Sequence, residues 1–552
     1  MTPPDSAATP TNAADAVAAA LVDAGVERLF GVPGGGSSLD LIAAAHRRGL
    51  PFALARHEAA AVIMAATTAE LSGRPGAALV TRGPGVANAA NGVAHASLDR
   101  APVLLVADGF TGAERAFADH QWFDQAAMLA PVTKAAARAV EPGTAAGPMA
   151  AALLSAALAA PRGPVLLELS GAAARAPAAP LPPLGGAETA SAPPNPAALE
   201  AAKALLARAR RPVLVAGLET TGPAACAALR RLVEALGCPA LVTYKAKGVV
   251  PDAHPLFAGV FTGGAAEAPV LADADLVILA GADPVEFIPQ PWRYGAPVLE
   301  IAAAPRSAHY ATPAAALHGP LAPALAALAE GARRGDWTAE GIGEPRAAWF
   351  ARLANGPTRG GNRGLSPQAV VEIAQAACGR AGADPRVSVD AGAHMFPATT
   401  FWRASRPGDL LISNGLSTMG FALPAGIAAA LHDPARGALA FTGDGGLLMA
   451  LGELATAAAL GAKLVVVVFN DATLSLIAIK RDARALPDGA LGWPRADFAA
   501  AMRAFGGPAF RAATEGEYAE ALDRALAAPG PALVDVLVDP ESYPAQIKAL
   551  RG

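Results

Sequence analysis

Gly443-Asp444-Gly445-Gly446 and Phe469-Asn470-Asp471-Ala472-Thr473 are the two segments from which the rest of the chain can be placed. The apolar run 438–441 precedes the first segment, and the run 464–469 leads into the second, so both predict buried strands. An alanine- and leucine-rich helix is expected between them, over about 447–460. Strands joined by one helical crossover are normally parallel and close neighbours, so both aspartates should lie at the same edge of one sheet.

Two carboxylates at one sheet edge suit a hard divalent cation such as Mg²⁺, which prefers oxygen ligands and usually keeps phosphate oxygens and water. The helix that follows Gly446 points its amino end at the same place, which favours a phosphate. Asp444 and Asp471 therefore predict a metal-bridged diphosphate site. Each segment alone has a plainer interpretation, because Gly-Asp-Gly is a common turn and Asp471 could cap a helix.

The stretch from Gly443 to Thr473 resembles the thiamin diphosphate signature, in which Gly-Asp-Gly is followed by a helix, a strand and Asn-Asn or Asn-Asp. By this resemblance, Mg²⁺ is bound by the side chains of Asp444 and Asp471 and by the main-chain oxygen of Thr473. The cofactor site would also include Gly443, Gly445, Gly446 and Leu474.

Three phrases in the first third of the chain occur in a fixed order: Phe30-Gly31-Val32-Pro33-Gly34, Arg56-His57-Glu58-Ala59-Ala60 and Gly83-Pro84-Gly85-Val86-Ala87-Asn88. Nearly the whole of residues 1–170 resembles the pyrimidine-binding domain of acetohydroxyacid synthases, a branch of the same family. The resemblance implies that Gly34 contacts the cofactor. Asn88 would either face that site or cap a turn.

Glu58 carries the chemistry by this resemblance, since in the family a glutamate here hydrogen-bonds N1′ of the aminopyrimidine. The bond stabilises the imino tautomer, whose nitrogen can take the proton from C2 of the thiazolium. Such a carboxyl must be held away from water. The plainer alternative is that Glu58 only favours the positive end of its own helix.

A polar and aromatic stretch at 120–125 is predicted to be irregular, and loops commonly hold binding groups. The benzaldehyde lyases, a related branch, have a polar substrate contact near this position, so His120 or Gln121 is a candidate to touch the bound intermediate. A surface histidine is the plainer alternative. The adjacent His-His pair of the pyruvate decarboxylases is missing here, and Pro33 and Gly36 stand where benzaldehyde lyases carry histidines.

Asn414-Gly415-Leu416-Ser417-Thr418-Met419-Gly420-Phe421 resembles the family's stretch beneath the cofactor. The residue that matches Met419 is the apolar wedge that holds the two cofactor rings in a V shape. Main-chain groups of Ser417 and Met419 would hold the pyrimidine. A methionine in an apolar segment is more often part of the core.

Alternating strands and helices predict an α/β fold with three doubly wound parallel-sheet domains. We expect a pyrimidine-binding domain over 1–173, a central domain over 195–335 and a diphosphate- and Mg²⁺-binding domain over 362–552. The Pro/Ala/Gly-rich segment 174–198 and the Gly/Arg-rich segment 331–364 are predicted to be linkers.

In acetohydroxyacid synthases the central domain binds FAD. The acidic and basic phrase that usually follows the strand at 276–280 is missing, because the chain reads Ala282-Asp283-Pro284-Val285-Glu286-Phe287. We therefore expect no FAD. Lys245 and Lys247 could bind the phosphate of a nucleotide or of CoA, or could lie solvated on a loop.

The net charge of the 552 residues is −4 without a long basic run, which argues against nucleic-acid or anionic-membrane partners. Cys226, Cys238 and Cys378 match no metal or redox spacing. No apolar run reaches the roughly 18 residues of a membrane span, and the first residues lack the basic region of a signal peptide. We expect a cytoplasmic protein.

The resemblance implies a lyase or carboligase that acts on 2-oxo acids, with decarboxylation followed by carboligation as in acetolactate synthases. The alternatives are simple decarboxylation of an aromatic or branched 2-oxo acid, cleavage of a 2-hydroxy ketone or 2-hydroxyacyl-CoA, and a non-catalytic paralogue. A dehydrogenase is possible on fold alone, but no Gly-x-Gly-x-x-Gly follows a predicted strand. Because the family builds its site between subunits, a homodimer or homotetramer is expected.

Overall fold

The computed structural model describes residues 10–178, 194–354 and 364–551. These residues form three six-stranded sheets whose paired strands are parallel throughout. Most strands are connected by helices. The predicted α/β class with three doubly wound sheets is confirmed.

The first sheet has the strand order β2-β1-β3-β4-β6-β5. Its strands are β1 (Leu29–Val32), β2 (Phe52–Leu54), β3 (Gly76–Val80), β4 (Val103–Asp108), β5 (Ala136–Ala139) and β6 (Val165–Leu169). Its helices are α1 (Ala13–Asp23), α2 (Ser37–Arg47), α3 (Glu58–Ser72), α4 (Pro84–Leu98), α5 (Gly112–Arg115), α6 (Gln125–Leu129), α7 (Ala146–Leu158) and α8 (Gly171–Arg175).

The central sheet has the strand order β12-β11-β10-β7-β8-β9. Its strands are β7 (Pro212–Ala216), β8 (Ala240–Val242), β9 (Phe257–Val260), β10 (Leu276–Ala280), β11 (Val298–Ala302) and β12 (Ala315–His318). Its helices are α9 (Pro196–Arg208), α10 (Pro223–Leu236), α11 (Ala268–Ala272), α12 (Leu321–Ala329) and α13 (Ala339–Leu353). Counted within the domain and from its other edge, this order is 3-2-1-4-5-6, which is common in dinucleotide-binding folds.

The third sheet has the order β14-β13-β15-β16-β18-β17, which repeats the order of the first sheet. Its strands are β13 (Arg386–Val389), β14 (Leu410–Ile412), β15 (Ala438–Gly443), β16 (Leu464–Asn470), β17 (Ala509–Ala512) and β18 (Ala532–Leu537). Its helices are α14 (Pro367–Arg380), α15 (Met395–Phe401), α16 (Ala422–His432), α17 (Asp444–Ala450), α18 (Glu453–Ala459), α19 (Ser475–Ala483), α20 (Phe498–Ala504), α21 (Glu515–Leu526) and α22 (Tyr543–Arg551).

The centre of the third sheet is buried on both faces. Every residue of β16 is buried, as the run of valines predicts for a parallel strand covered by helices. Helix α3 of the first domain packs against α16 of the third, and one apolar cluster includes residues of both domains. This packing fixes the carboxyl ends of β15 and β16 relative to the first domain.

Two expected elements differ from the structure. The helix expected over 447–460 begins at Asp444 and is divided into α17 and α18 by Leu451 and Gly452. The prediction of a linker over 331–364 is partly wrong, because residues 339–353 form α13. Its buried residues, Ile342, Trp349 and Leu353, recur at helical spacing on one face, and α13 packs against β9.

The segment that follows Pro540 is helical. It forms α22, whose buried residues are Tyr543, Gln546 and Leu550. Positions 179–193 of the first expected linker and 355–363 of the second lie outside the described residues. Within the part of the chain that the structure describes, no helix is both long and apolar enough to cross a bilayer.

Candidate active site

A cavity of about 280 Å³ lies where β13, β15 and β16 end. Most of its lining comes from the turns that follow these strands, and two residues come from α22. The lining residues used below are His394, Phe396, Ser417, Met419, Gly443, Asp444, Gly445, Gly446, Asp471, Thr473, Leu474, Tyr543 and Arg551. The structure therefore brings together all predicted cofactor-binding residues of the third domain.

Asp444 and Asp471 lie at the ends of the adjacent strands β15 and β16, as predicted. Asp444 Oδ1 accepts a hydrogen bond from its neighbour Gly445 N at 2.8 Å, and Oδ2 accepts one from Ala472 N at 2.6 Å. Asp471 Oδ2 accepts one from Ser475 Oγ at 2.5 Å. The bond to Ala472 N ties the two turns together across the sheet edge.

The two carboxyl groups are destabilised in their charged forms. Burial, and then the charge of Asp471, raises the pKa of Asp444 to about 7. Burial raises the pKa of Asp471 to about 6. No salt bridge to either aspartate occurs among the described residues. A bound cation would relieve this repulsion.

The oxygens at this edge fit a hard cation. Besides the two carboxylates, the carbonyl of Thr473 accepts one hydrogen bond within the described part of the chain, from Ser475 N at 2.9 Å, and keeps a second lone pair. In the described ranges, no three His, Cys, Asp or Glu side chains are arranged to hold a metal ion together, so an ion here would need further oxygens from a ligand or water. This donor set resembles Mg²⁺ sites completed by phosphate.

The glycines of the 443–446 turn keep the cavity open and the backbone close to its neighbours. A Cβ on Gly446 would lie 2.5 Å from Asp390 Oδ2. A Cβ on Gly445 would lie 3.1 Å from Leu474 Cδ2 and 3.4 Å from Met419 Cε. A side chain at position 446 would collide with the Asp390 carboxylate, whereas one at position 445 would press on the side-chain ends of Leu474 and Met419.

Asp390 positions the loop that carries Met419, a role that no motif in the sequence indicated. It is buried, and it accepts hydrogen bonds from Gly420 N and Phe421 N, both at 3.2 Å, and from Thr442 Oγ1 at 2.9 Å. Its place at the end of a predicted strand was the available signal.

His394 was also missed as a cavity residue. Burial lowers its pKa to about 3, so the imidazole is neutral at physiological pH. Its Nε2 has no hydrogen-bond partner among the described residues. A Cβ on Gly443 would lie 3.0 Å from its Cε1, so the ring stands directly against the glycine turn.

Glu58 begins α3 and is buried, as the proposed chemistry requires, but it does not line the cavity of its own chain. Its Oε2 accepts a hydrogen bond from Asn88 Nδ2 at 3.1 Å. His57 caps α3 by accepting a hydrogen bond from Ala59 N. Within one chain, Glu58 and the aspartate pair therefore belong to separate half-sites.

Gly34, His120 and Gln121 lie near the carboxyl edge of the first sheet. A Cβ on Gly34 would lie 2.5 Å from Asp108 Oδ2, at the end of β4. His120 and Gln121 are exposed, and a Cβ on Gly83 would lie 2.3 Å from the Gln121 carbonyl oxygen. The structure places these residues on the side of the first half-site, outside the cavity.

Lys245 and Lys247 are neither solvated nor available to a phosphate. Lys245 Nζ lies 2.6 Å from Glu70 Oε2 and 3.5 Å from Asp99 Oδ1, and Lys247 pairs with Asp252. Burial opposes the charge of Asp99, but Lys245, His95 and the hydrogen bond from Asn414 N together outweigh burial, so the pKa of Asp99 falls to about 2. Asp99, which follows α4 in the first domain, also accepts a hydrogen bond at Oδ1 from Asn414 N at 3.0 Å, so its carboxyl joins Lys245 of the central domain to the 413–419 loop.

The carboxyl edge of the central sheet is filled by ion pairs. Arg306 bridges Glu219 Oε2 at 3.1 Å and Asp283 Oδ2 at 3.0 Å. Arg100 of the first domain also binds Asp283, at 2.9 and 3.1 Å. Burial raises the pKa of Glu286 to about 8, and its carboxyl accepts bonds from Thr243 Oγ1 and Leu218 N. These groups occupy the crevice where this strand order would hold a dinucleotide.

Three family models match successive parts of the chain. The "Thiamine pyrophosphate enzyme, N-terminal TPP binding domain" matches residues 11–128, the "central domain" matches 199–328, and the "C-terminal TPP binding domain" matches 390–536. Thiamine pyrophosphate is the same compound as thiamin diphosphate. The third match includes both aspartates of the cavity.

Similar proteins include enzymes of two kinds. The chain is 29% identical over 545 residues to acetolactate synthase of Bacillus subtilis, covering 95% of this chain and 93% of that one. It is 33% identical over 515 residues to a probable 2-ketoarginine decarboxylase of Pseudomonas aeruginosa, covering 90% and 88%.

A solved structure has the same fold. The thiamine diphosphate-dependent 4-hydroxybenzoylformate decarboxylase of Rhodococcus jostii superposes with a TM-score of 0.81 and 22% identity, covering 96% of this chain and 99% of that one. Together, the cavity, the three family models and the relatives show that this chain belongs to the thiamine pyrophosphate enzymes, in the branch of acetolactate synthases and 2-oxo acid decarboxylases.

Proposed function

We propose that the protein uses thiamin diphosphate and Mg²⁺ to decarboxylate a 2-oxo acid and to join the remaining fragment to a second carbonyl compound. The observation that carries the proposal is a pair of carboxyls, the buried Asp444 and the partly buried Asp471, which meet at one cavity with raised pKa values. When bound, the thiazolium supplies the electron sink that decarboxylation needs, and the protein supplies orientation and electrostatics.

Each cavity residue has a defined task in this proposal. Asp444, Asp471 and the Thr473 carbonyl hold Mg²⁺, and the 443–446 turn lets the backbone approach the diphosphate. Met419 acts as the wedge beneath the two rings, and Asp390 fixes its loop. Ser417 has φ of 55°, a backbone conformation that is uncommon outside glycine and marks a constrained position.

Glu58 would act in a site shared by two copies of the chain. It is buried beside Asn88, away from the cavity of its own chain, so a partner chain must bring the two half-sites together. Large apolar side chains are exposed near both half-sites. They include Phe117 and Trp122 in the first domain and Leu448 and Met449 on α17, directly after the glycine turn. The exposure of these side chains in one chain supports a homodimer or homotetramer, in which a partner subunit would cover them.

In the shared site, Glu58 would share a proton with N1′ of the pyrimidine, and the dry surroundings would keep this carboxyl from water. His120 and Gln121 stand on an exposed loop of the same domain and would face the substrate from the partner's side. Leu474 lines the mouth of the cavity beside the metal ligands and would contact the substrate's apolar part.

Simple decarboxylation is the second candidate. It is supported by the 33% identity to a probable 2-ketoarginine decarboxylase, against 29% to acetolactate synthase. Cleavage of a 2-hydroxy ketone or 2-hydroxyacyl-CoA is a third reaction that the same groups could perform. The protein's residues that bind the cofactor would be the same in all three cases.

The test is carbon dioxide release by the purified protein with thiamin diphosphate and Mg²⁺, across pyruvate, 2-oxobutyrate, benzoylformate, phenylpyruvate and 2-ketoarginine. Acetolactate formed from pyruvate would support the synthase reaction, whereas an aldehyde as the sole product would replace it with the decarboxylase. No carbon dioxide release from any of these acids would contradict both the synthase and the decarboxylase reaction. The next substrates to assay would then be 2-hydroxy ketones.

Glu58→Gln separates the chemistry from cofactor binding. Its turnover should fall at least about 100-fold, because general acid–base catalysis typically contributes a factor of about 10²–10⁴. Binding of thiamin diphosphate should still require Mg²⁺. An unchanged rate would contradict the role given to Glu58. Glu114→Gln is a matched control, because Glu114 is a glutamate of the first domain that caps α5 and does not line the cavity.

A further inference from the structure

Helix α22 connects the central domain to the cavity. Ala265 N, in the central domain, donates a hydrogen bond to the Leu550 carbonyl at 2.7 Å. A Cβ on Gly264 would lie 1.8 Å from that oxygen, so the helix end docks against a bare backbone. Tyr543 and Arg551, from the two ends of α22, both line the cavity.

Arg551 has an unsatisfied donor at this position. Its Nη1 is buried and has no hydrogen-bond partner among the described residues. The guanidinium carbon lies 5.9 Å from the centroid of the Phe396 ring, which is near the limit of a cation–π contact. Because a buried donor without an acceptor is costly, this geometry points to an acceptor that the chain itself does not supply.

The charges of the cavity favour an anionic acceptor. Its charged lining residues are Asp444, Asp471 and Arg551, since burial keeps His394 neutral. A divalent cation on the two aspartates would cancel their charge, and Arg551 would then leave the cavity with one positive charge. A guanidinium is also well shaped for two parallel hydrogen bonds to phosphate.

The position of Arg551 distinguishes a diphosphate from a substrate carboxylate. Arg551 lies over Phe396, in the first turn of α15, and His394, the residue just before that helix, stands against Gly443. This is the side of the cavity where the 443–446 turn would receive the diphosphate. The loop with Ser417 and Met419 lies under the rings in the proposed arrangement.

We infer that Arg551 is a further binding residue of this cavity and that it donates hydrogen bonds to the diphosphate of the cofactor. The inference rests on the proposed function. It assigns to α22 a direct part in holding the diphosphate, together with the metal.

The experiment is calorimetric titration of wild type and of Arg551→Gln with thiamin diphosphate at saturating Mg²⁺. The variant should bind about tenfold or more weakly, because a hydrogen bond to a charged group contributes enough for this ratio. Inorganic pyrophosphate should compete less well on the variant, whereas thiamin without phosphates should bind both proteins equally. Arg551→Lys keeps the positive charge but loses the guanidinium that can donate two parallel hydrogen bonds. Its affinity for thiamin diphosphate should therefore lie between those of wild type and Arg551→Gln.

Arg524→Gln is the matched control, because Arg524 covers Phe510 at 4.3 Å on the same domain but outside the cavity. It should bind thiamin diphosphate like wild type. Equal affinity of wild type and Arg551→Gln would overturn the inference alone. If Arg551→Gln fails to fold, the same titration is made with Arg551→Lys. Wild-type affinity for thiamin diphosphate in that folded variant would overturn the inference. Failure of wild type to bind the cofactor would overturn the proposed function as well.

Discussion

The carboxyl edges of the central and third sheets differ in how their charged groups are satisfied. In the central sheet, Arg306 lies between Glu219 and Asp283, and Arg100 adds a second cation. In the third sheet, Asp444 and Asp471 lie together with no cation bound to either among the described residues, and the nearby Arg551 keeps an unsatisfied donor.

This comparison shows that strand order alone does not locate a ligand. The central sheet has the order of dinucleotide-binding folds, yet its crevice is occupied by its own side chains. The third sheet has the order of the first, and its crevice is a cavity lined by glycines and unpaired charges. Charges without partners at a conformationally restricted turn are the better indicator of a site.

The largest expected effect comes from Asp444→Asn. Because this change removes a metal ligand, the affinity for thiamin diphosphate in Mg²⁺ should fall by about 100-fold or more, beyond the range typical of outer-shell partners. Calorimetry measures it. Asp535→Asn, which alters another buried carboxyl of the same sheet outside the cavity, should bind within about threefold of wild type. Equal losses in both variants would contradict the assigned metal site.

Arg306→Met should have the opposite profile, with a loss of stability and no loss of cofactor affinity. Removing one partner of a buried ion-pair cluster should lower the free energy of unfolding by about 3–5 kcal/mol. Denaturant titration measures this change, and calorimetry checks that the affinity stays within about twofold.

Arg210→Met is the control for this variant, because Arg210 pairs with Asp336 at 3.7 Å on the surface and should contribute less than about 1 kcal/mol. Weaker cofactor binding by Arg306→Met at unchanged stability would show that the central crevice takes part in the site.

The two aspartates should also make stability depend on pH. The pKa of Asp444 rises from an ordinary 3.8 to about 7 on folding, so the folded state holds its proton more tightly. The stabilising contribution of Asp444 to the free energy of unfolding is therefore present at low pH and is lost as the pH rises from about 4 to about 7. Asp444→Asn should gain on the order of 2 kcal/mol relative to the metal-free wild type over this window.

Thermal unfolding of both proteins at about pH 5 and about pH 8, with chelator present, measures the difference. A gap in melting temperature that stays constant with pH would contradict the raised pKa. Added Mg²⁺ should narrow the gap at high pH, because the ion stabilises the two carboxylates of the wild type.

The smallest expected effect is that of FAD on the wild type. In the central crevice, Arg306 pairs with Asp283, and the Glu286 carboxyl accepts a hydrogen bond from Asp283 N. Because these groups already fill the crevice, protein incubated with FAD should emerge from gel filtration without flavin absorbance. Stoichiometric flavin in the protein peak would show that these ion pairs open. The expectation of no FAD would then be wrong.

Much of this arrangement is predictable from the sequence. The strands that precede Asp444 and Asp471 contain uninterrupted apolar runs, and one helical crossover connects them. Their parallel pairing therefore follows from the local sequence pattern and from the geometry of a single crossover. Glu58 and Met419 were indicated only by resemblance. The structure places Met419 in the cavity and leaves Glu58 outside it.

Other features depend on contacts between distant segments. The burial of Lys245 arises from Glu70 and Asp99, which are far away in sequence, so a lysine-rich turn was a poor guide. Arg551 and Tyr543 reach the cavity only because α22 docks on Gly264, and no local motif marks that contact. The gap between α17 and α18 also lacks a proline that would have indicated it.

The docking of α22 has a consequence for the central domain, none of whose described residues lines the cavity. Since the Leu550 carbonyl is held by Ala265 of that domain, local opening around Ala265 would release the helix end that carries Arg551. By thermodynamic linkage, a ligand held by Arg551 must resist that opening. The cofactor would then slow hydrogen exchange and proteolytic cleavage near Ala265, in a domain that it never touches.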